Sequence, residues 1–321
     1  MLSGVGIICF AASYAVTLVL EVSRLFFRSG VRGAVMVGFA GAGLLAHSLY
    51  LYHRASDAGA SFLSSRQDWC LLAAWGLAVA YLGLVWHHPK TSFGVFVLPW
   101  VLGLIGAGVL LADRAPFARE STSQWLRAMH GTSILLATVA VLVGFASGLM
   151  YLQQAYRLKR KRPPQRGLRL PSLEWLHRTN GRAMGVALLM TGAAIVSGIL
   201  LNRVNHAARA DAVAWNDPVV LSTVVMFGWL ALSVGIGRFY RPAREGRRVA
   251  LLTVLSFALL VVALATVLFL DTSHVRPERR GGGPLGRCNV ATRCFALDQS
   301  ERGLPCCCGA ICRSDGRGGP A

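Results

Sequence analysis

The chain has 321 residues, of which 54% are hydrophobic and only 15% charged, and it carries a formal net charge of +19. That balance excludes an ordinary soluble domain, and the Lys and Arg fall in blocks between apolar runs instead of gathering on one folded patch, which excludes a nucleic-acid-binding surface. The apolar runs are about 20 residues long, the length a helix needs to cross ~30 Å of hydrocarbon, so the basic excess reads as a positive-inside bias.

Eight spans are predicted, at roughly 4–20, 33–52, 69–86, 93–112, 130–152, 183–201, 219–236 and 249–270. No Lys, Arg, Asp or Glu interrupts the interior of any of them, and backbone in lipid must satisfy its own hydrogen bonds. The expected fold class is therefore all-α, a polytopic membrane helix bundle of about eight transmembrane helices. The first run has no basic n-region and no cleavage site, so it is expected to stay as a helix. The connection from Gln153 to Arg182 carries Arg157, Lys159, Arg160, Lys161, Arg162, Arg166, Arg169, Arg178 and Arg182 against the single acid Glu174, which assigns it to the cytoplasm. Alternation puts Arg24, Arg28, Arg32, Lys90 and the Arg238–Arg248 block on that side too. The opposite loops are nearly balanced, with Arg54 and Arg66 against Asp57 and Asp68, or Arg203 and Arg209 against Asp211 and Asp217. The expected topology is N-out/C-out, with residues 1–275 as one membrane domain.

In chain order, Cys9 and Cys70 read as small buried hydrophobes. His47 lies within the second span near its outer end; an imidazole in hydrocarbon is a functional candidate by default, and its alternative is a hydrogen bond to a neighbouring helix. His53 reads as solvated, and His87 and His88, beside Pro89-Lys90, as interfacial caps. Pro99-Trp100 and several glycines in the fourth span favour a kink and close helix approach. Trp125 and Arg127 lead to His130, expected at the mouth of the fifth helix, where a bundle meets water on the outer face. Residues 170–178 read as a separate short amphipathic helix started by Ser172, anchored to anionic lipid, with His177 at the interface.

The polar element Trp215-Asn216-Asp217-Pro218 precedes the seventh span: Asp217 is a good N-cap, Pro218 suits the first helical position, and Trp215 suits a membrane interface. His274 follows the last span directly. Residues 276–321 are rich in Gly, Arg, Pro and Cys. Cys288, Cys294, Cys306, Cys307, Cys308 and Cys312 lack the paired spacing of a metal site, and with few apolar residues to build a core the tail is expected to be disordered.

With these residues placed, the chain resembles the cytochrome c assembly family of polytopic haem-handling proteins, in its eight-span branch of CcsA and HemX-like members. The likeness runs from the second span to His274. It is clearest in the His130 helix with its Gly-Leu-Met-Tyr-Leu-Gln exit, in Leu170-Pro171-Ser172-Leu173-Glu174, in the Trp-x-Asp-Pro element and in the Gly-Arg-Arg-Val-Ala opening of the last span. The resemblance implies haem b as cofactor, with His130 and His274 as axial ligands of its iron, Trp215 and Asp217 in the outer haem-facing element, and His47 serving haem on its way outward. It implies apocytochrome c and a CcsB/ResB-like assembly protein as partners beside the lipid bilayer, and the bacterial inner membrane as location. The implied function is a haem-binding component of cytochrome c biogenesis that presents haem on the outer face; no residue is assigned a catalytic role, and any synthetase activity would belong to an attachment complex.

Two departures favour a HemX-like accessory role: the loop holds one tryptophan, Trp215, and Gly235 and Arg238 stand where the nearest family members carry another histidine within the span. The chain has no Cys-x-x-Cys-His and so is not itself a c-type cytochrome. Haem chemistry agrees with the proposed set, since iron takes axial imidazoles, the macrocycle needs an apolar platform, and the propionates need positive groups at a wet rim, which Arg127 or Arg203 would supply. The rival classes are a small-molecule exporter, whose broken helices and inverted repeats are not visible, and a structural or regulatory subunit without cofactor.

Overall fold

The computed structural model describes residues 6–24, 30–57, 65–88, 91–112, 123–161, 170–207, 214–239 and 246–269, and among them every regular element is a helix. In order these are α1 (Ile7–Ser23), α2 (Gly30–Asp57), α3 (Arg66–His87), α4 (Gly94–Leu110), α5 (Gln124–Lys159), α6 (Leu173–Ala207), α7 (Pro218–Phe239) and α8 (Gly246–Phe269). Each expected span coincides with one of them. Six, all but α1 and α4, are long and apolar enough to cross a membrane; α1 and α4 have 17 residues each, the lower end of the spanning range. Large apolar side chains such as Ile8, Leu45, Leu110, Leu189 and Val225 stand exposed on the outward faces, a distribution that fits a bundle solvated by lipid.

The helices form two groups of four. α1 packs on α2 and α4, and α3 packs on α2 and α4; α5 packs most extensively on α6 and also on α8, and α7 lies against α6 and α8. α5 joins the groups by also packing on α3 and α4. The seam is aromatic: Trp100 of α4 meets Phe145 of α5 at 5.3 Å and Phe257 of α8 at 4.7 Å, while Phe145 and Phe257 stack at 3.9 Å. Small residues bring the second group close. A Cβ on Gly148 would lie 3.3 Å from Asn180 and 3.5 Å from the Ala250 carbonyl oxygen, and beside it the Thr253 hydroxyl donates to Asn180 Oδ1 at 2.9 Å.

Contacts sort the helix termini into two ends. At one, Tyr81 near the end of α3 meets Glu21 near the end of α1, and His88 packs edge-on to Trp175 at the start of α6, 4.9 Å between ring centres. Arg24, Arg157, Lys159, Arg160, Lys161 and Arg238 belong to helix termini of this kind, so this is the basic end. At the opposite end Arg54 of α2 pairs with the buried Asp68 of α3, whose other oxygen accepts from Ser65, and Arg66 donates to the Val267 carbonyl in the last turn of α8 at 3.3 Å. A cation on a helix C-terminus also offsets the negative end of its dipole.

Four sequence expectations are corrected. Residues 173–178 are not a separate surface helix: Ser172 caps as expected, its Oγ accepting from the Trp175 amide at 3.3 Å, but the helix continues unbroken into α6, because Leu176 and Asn180 are buried and Trp175 docks on His88 and Phe93. His130 does not open its helix; α5 starts a turn and a half earlier, at Gln124. Cys9 is exposed, whereas Cys70 is buried as expected. The first helix runs past residue 20 and so takes a carboxylate, Glu21, into its buried face.

Candidate functional site

The site is built around His130. Ser123 starts α5 by accepting from the Leu126 amide at 3.4 Å, which places His130 as the seventh helical residue, on the face turned to α6. There its Nδ1 lies 2.8 Å from the carbonyl oxygen of Ala194. A carbonyl oxygen only accepts, so Nδ1 carries the hydrogen and donates it, and in the neutral ring the lone pair sits on Nε2. This is the arrangement by which metal-ligating histidines are held, with one nitrogen tied to a carbonyl and the other basic. The close approach is permitted by Gly198, one turn beyond Ala194 on α6: a Cβ there would be 2.9 Å from His130 Cε1 and 3.1 Å from Nδ1.

Trp215 and Asp217 lie at the same end, in the connection that leaves α6 and starts α7. The Asp217 amide donates to the Ala214 carbonyl at 3.1 Å, closing a turn that leaves Trp215 largely exposed. Asp217 is buried and caps α7 as expected, with its Oδ1 accepting from the Val219 amide at 2.8 Å and its own carbonyl from Leu221 at 3.0 Å. Arg127 and Arg203, the candidate rim cations, sit near the start of α5 and the end of α6 and so share this end. His274 and the tail from 276 onward lie outside the described residues.

His47 belongs to the other helix group. It is fully buried between α2 and α1, stacked flat on Phe10 with 4.1 Å between ring centres, and its Nδ1 is 3.5 Å from the Tyr14 hydroxyl. Its Nε2 is buried with no hydrogen-bond partner. The structure thus sets His130 against α6 and His47 against α1, in different groups. His53 is half-buried beside Tyr52, and His88 joins Phe93 and Trp175 at the basic end, away from Trp215. Among the described residues no three or more His, Cys, Asp or Glu gather closely enough to hold a metal ion by themselves.

Glu21 was missed from sequence. It is completely buried, accepts from the Tyr81 hydroxyl at 3.3 Å on Oε1, and has Oε2 3.6 Å from Arg24. Gly94, the first residue of α4, makes the room: a Cβ there would lie within 3 Å of the carboxylate. The signal was present in the spacing Phe10, Tyr14, Thr17, Glu21, which continues one helical face past the expected end of the span.

Comparison with protein-family models and with curated proteins returns no match for this sequence.

Proposed function

We propose that the protein is a haem-binding, multi-pass membrane component of cytochrome c biogenesis in the bacterial inner membrane, with all eight helices spanning, both termini outside and the basic end in the cytoplasm. The observation that carries the reading is the His130 ring, oriented by the Ala194 carbonyl with its basic nitrogen Nε2 as the potential ligand, at the end of the bundle that holds Trp215 and Asp217. The donor set fits haem better than a bare metal ion, because haem brings four of its own nitrogens and asks the protein only for axial imidazoles, apolar walls and cations at the rim. Bound haem would supply the iron and vinyl chemistry of attachment; the chain would bind and orient it. His130 and His274 would be the axial pair, Trp215 the apolar platform, and Arg127 or Arg203 the propionate contacts, while the capping bonds of Asp217 would hold Trp215 in place. The single loop tryptophan favours an accessory, HemX-like role over a synthetase, with apocytochrome c and a CcsB/ResB-like protein as partners.

The test is an absorption spectrum of the protein purified in mild detergent after expression with ample haem. A Soret band with low-spin features supports the reading. Protein that neither retains haem nor binds it on addition refutes it.

A further inference from the structure

The basic end of α5 outruns the helices beside it. Three close pairs fix its register against α6, His130 with Gly198, Gly144 with Met184 and Gly148 with Asn180, and the residue numbers of each pair sum to 328. Leu173, the first residue of α6, therefore stands level with Ala155 (328 − 173 = 155). α8 also runs antiparallel to α5, with Gly148 against Thr253 and Phe145 against Phe257, and its first residue, Gly246, falls at the same turn. α5 continues as helix to Lys159, so its last turn has no helical residue of α6 or α8 opposite it. Tyr156 is 50% exposed and Leu158 60%, and Lys159, Arg160 and Lys161 are all exposed. The Arg160 guanidinium lies over the Tyr156 ring, 4.8 Å from its centre. The Lys161 amide ends the helix by donating to the Leu158 carbonyl at 3.1 Å, with Lys161 itself at φ 48°, a left-handed position that glycine usually fills.

We infer that this overhang is a docking surface for anionic phospholipid, with lipid phosphates held by Lys159, Arg160 and Lys161. Depth is the first argument. The apolar run of α5 ends at Leu152, and at about 1.5 Å per residue Tyr156 lies about 6 Å beyond it and Lys159 about 10 Å. The headgroup layer on each side of the hydrocarbon is roughly 5–8 Å thick, so the last turn crosses it and carries its cations to the phosphates. Charge is the second argument. Among the described residues the acids at this end are Glu21 and Glu174, and each is paired with an arginine of its own helix, Arg24 and Arg178. The third is the chemistry of the side chains. The face of the Arg160 guanidinium covers Tyr156 while its edge keeps N–H donors, and a tyrosine at this depth turns an apolar ring to acyl chains and a hydroxyl to water. Basic clusters beside spanning helices on the cytoplasmic side are where acidic headgroups bind. The inference moves the anionic-lipid contact expected of residues 170–178 to α5. It rests on the helices spanning a membrane and not on haem binding.

Cations in a last turn also offset the helix dipole, a role that needs no lipid. To separate the two, the full chain in mild detergent is titrated with phosphatidylglycerol or with phosphatidylcholine of the same acyl chains, and bound lipid is counted by native mass spectrometry. The thermal midpoint of the lipid-free protein is read beside it. Wild type should prefer phosphatidylglycerol. Lys159→Gln, Arg160→Gln and Lys161→Gln should each weaken that binding about fivefold, and the triple variant should bind the two lipids alike. Arg238→Gln, which removes an exposed cation of the same end from α7, should change it by less than about twofold. Equal affinity of the wild type for both lipids overturns the inference. So does a triple variant that keeps the preference, whether or not its lipid-free midpoint falls, and so does a loss in Arg238→Gln as large as that in Arg160→Gln, which would spread the effect over the whole basic end.

Discussion

Gly198→Ala is the sharpest perturbation of the His130 site, because it adds one methyl group whose three nearest neighbours are all atoms of the imidazole. The added Cβ would sit 2.9 Å from Cε1 and 3.1 Å from Nδ1, whereas ordinary contact begins at 3.4 Å, so the ring must retreat by at least about 0.5 Å (3.4 − 2.9). The Ala194 carbonyl cannot follow, since it is fixed in α6 and also accepts from the Ser197 hydroxyl at 3.1 Å. Stretching a 2.8 Å bond by that amount and turning the ring forfeits most of it, a loss of about 0.6 kcal/mol for an interhelical bond in a membrane protein. Replacing Gly by Ala inside a helix returns about 1 kcal/mol. The two nearly cancel, so the thermal midpoint should hardly move. Haem affinity should fall by roughly 10- to 100-fold, the usual effect of losing the group that orients a ligating histidine. Haem titration of the detergent-solubilised apoprotein followed at the Soret band reads both the affinity and, on heating, the stability. An unchanged affinity beside a shifted Soret maximum in His130→Ala would refute the orienting role of the carbonyl; a large fall in stability would refute the packing estimate.

Three further outcomes are expected. Arg54→Ala removes the cation paired with the buried carboxylate of Asp68 and should cost about 3 kcal/mol in unfolding by denaturant; the double change Arg54→Ala/Asp68→Ala should recover most of it, and a double variant as weak as the single one would contradict the pairing. Gly94→Ala pushes on Glu21 and should cost about 1–3 kcal/mol, relieved when Glu21→Ala is added; no relief would mean that the strain lies elsewhere. Deletion from Arg276 onward, which removes a stretch with few apolar residues, should leave insertion and haem content intact, and loss of either would give the tail a role.

The presence of the helices was legible in the sequence because lipid demands runs of a fixed length, and all eight runs are helices. Their ends were less so. The start of α6 read as a surface helix because Trp175, Leu176 and His177 pattern like one; what docks it is His88 and Phe93, more than eighty residues away, and nothing local announces them. The capping of α7 by Asp217 was legible because an N-cap is a local rule. The Ala194 partner of His130 lies 64 residues along the chain, and only the small pair Ala194 and Gly198, one turn apart, hints that another helix comes close there. Glu21 escaped because hydropathy ended the first span at residue 20, while the helical period carried the buried face one turn further.

The central claim is that His130 and His274 hold haem as an axial pair, and the most direct measurement is the absorption spectrum of the haem-loaded protein with each histidine replaced in turn. His130→Ala and His274→Ala should each convert six-coordinate low-spin iron to a high-spin form and weaken haem retention, whereas His53→Ala, His87→Ala and His177→Ala should keep the wild-type spectrum. A wild-type spectrum in both His130→Ala and His274→Ala would contradict the claim and turn the search to His47.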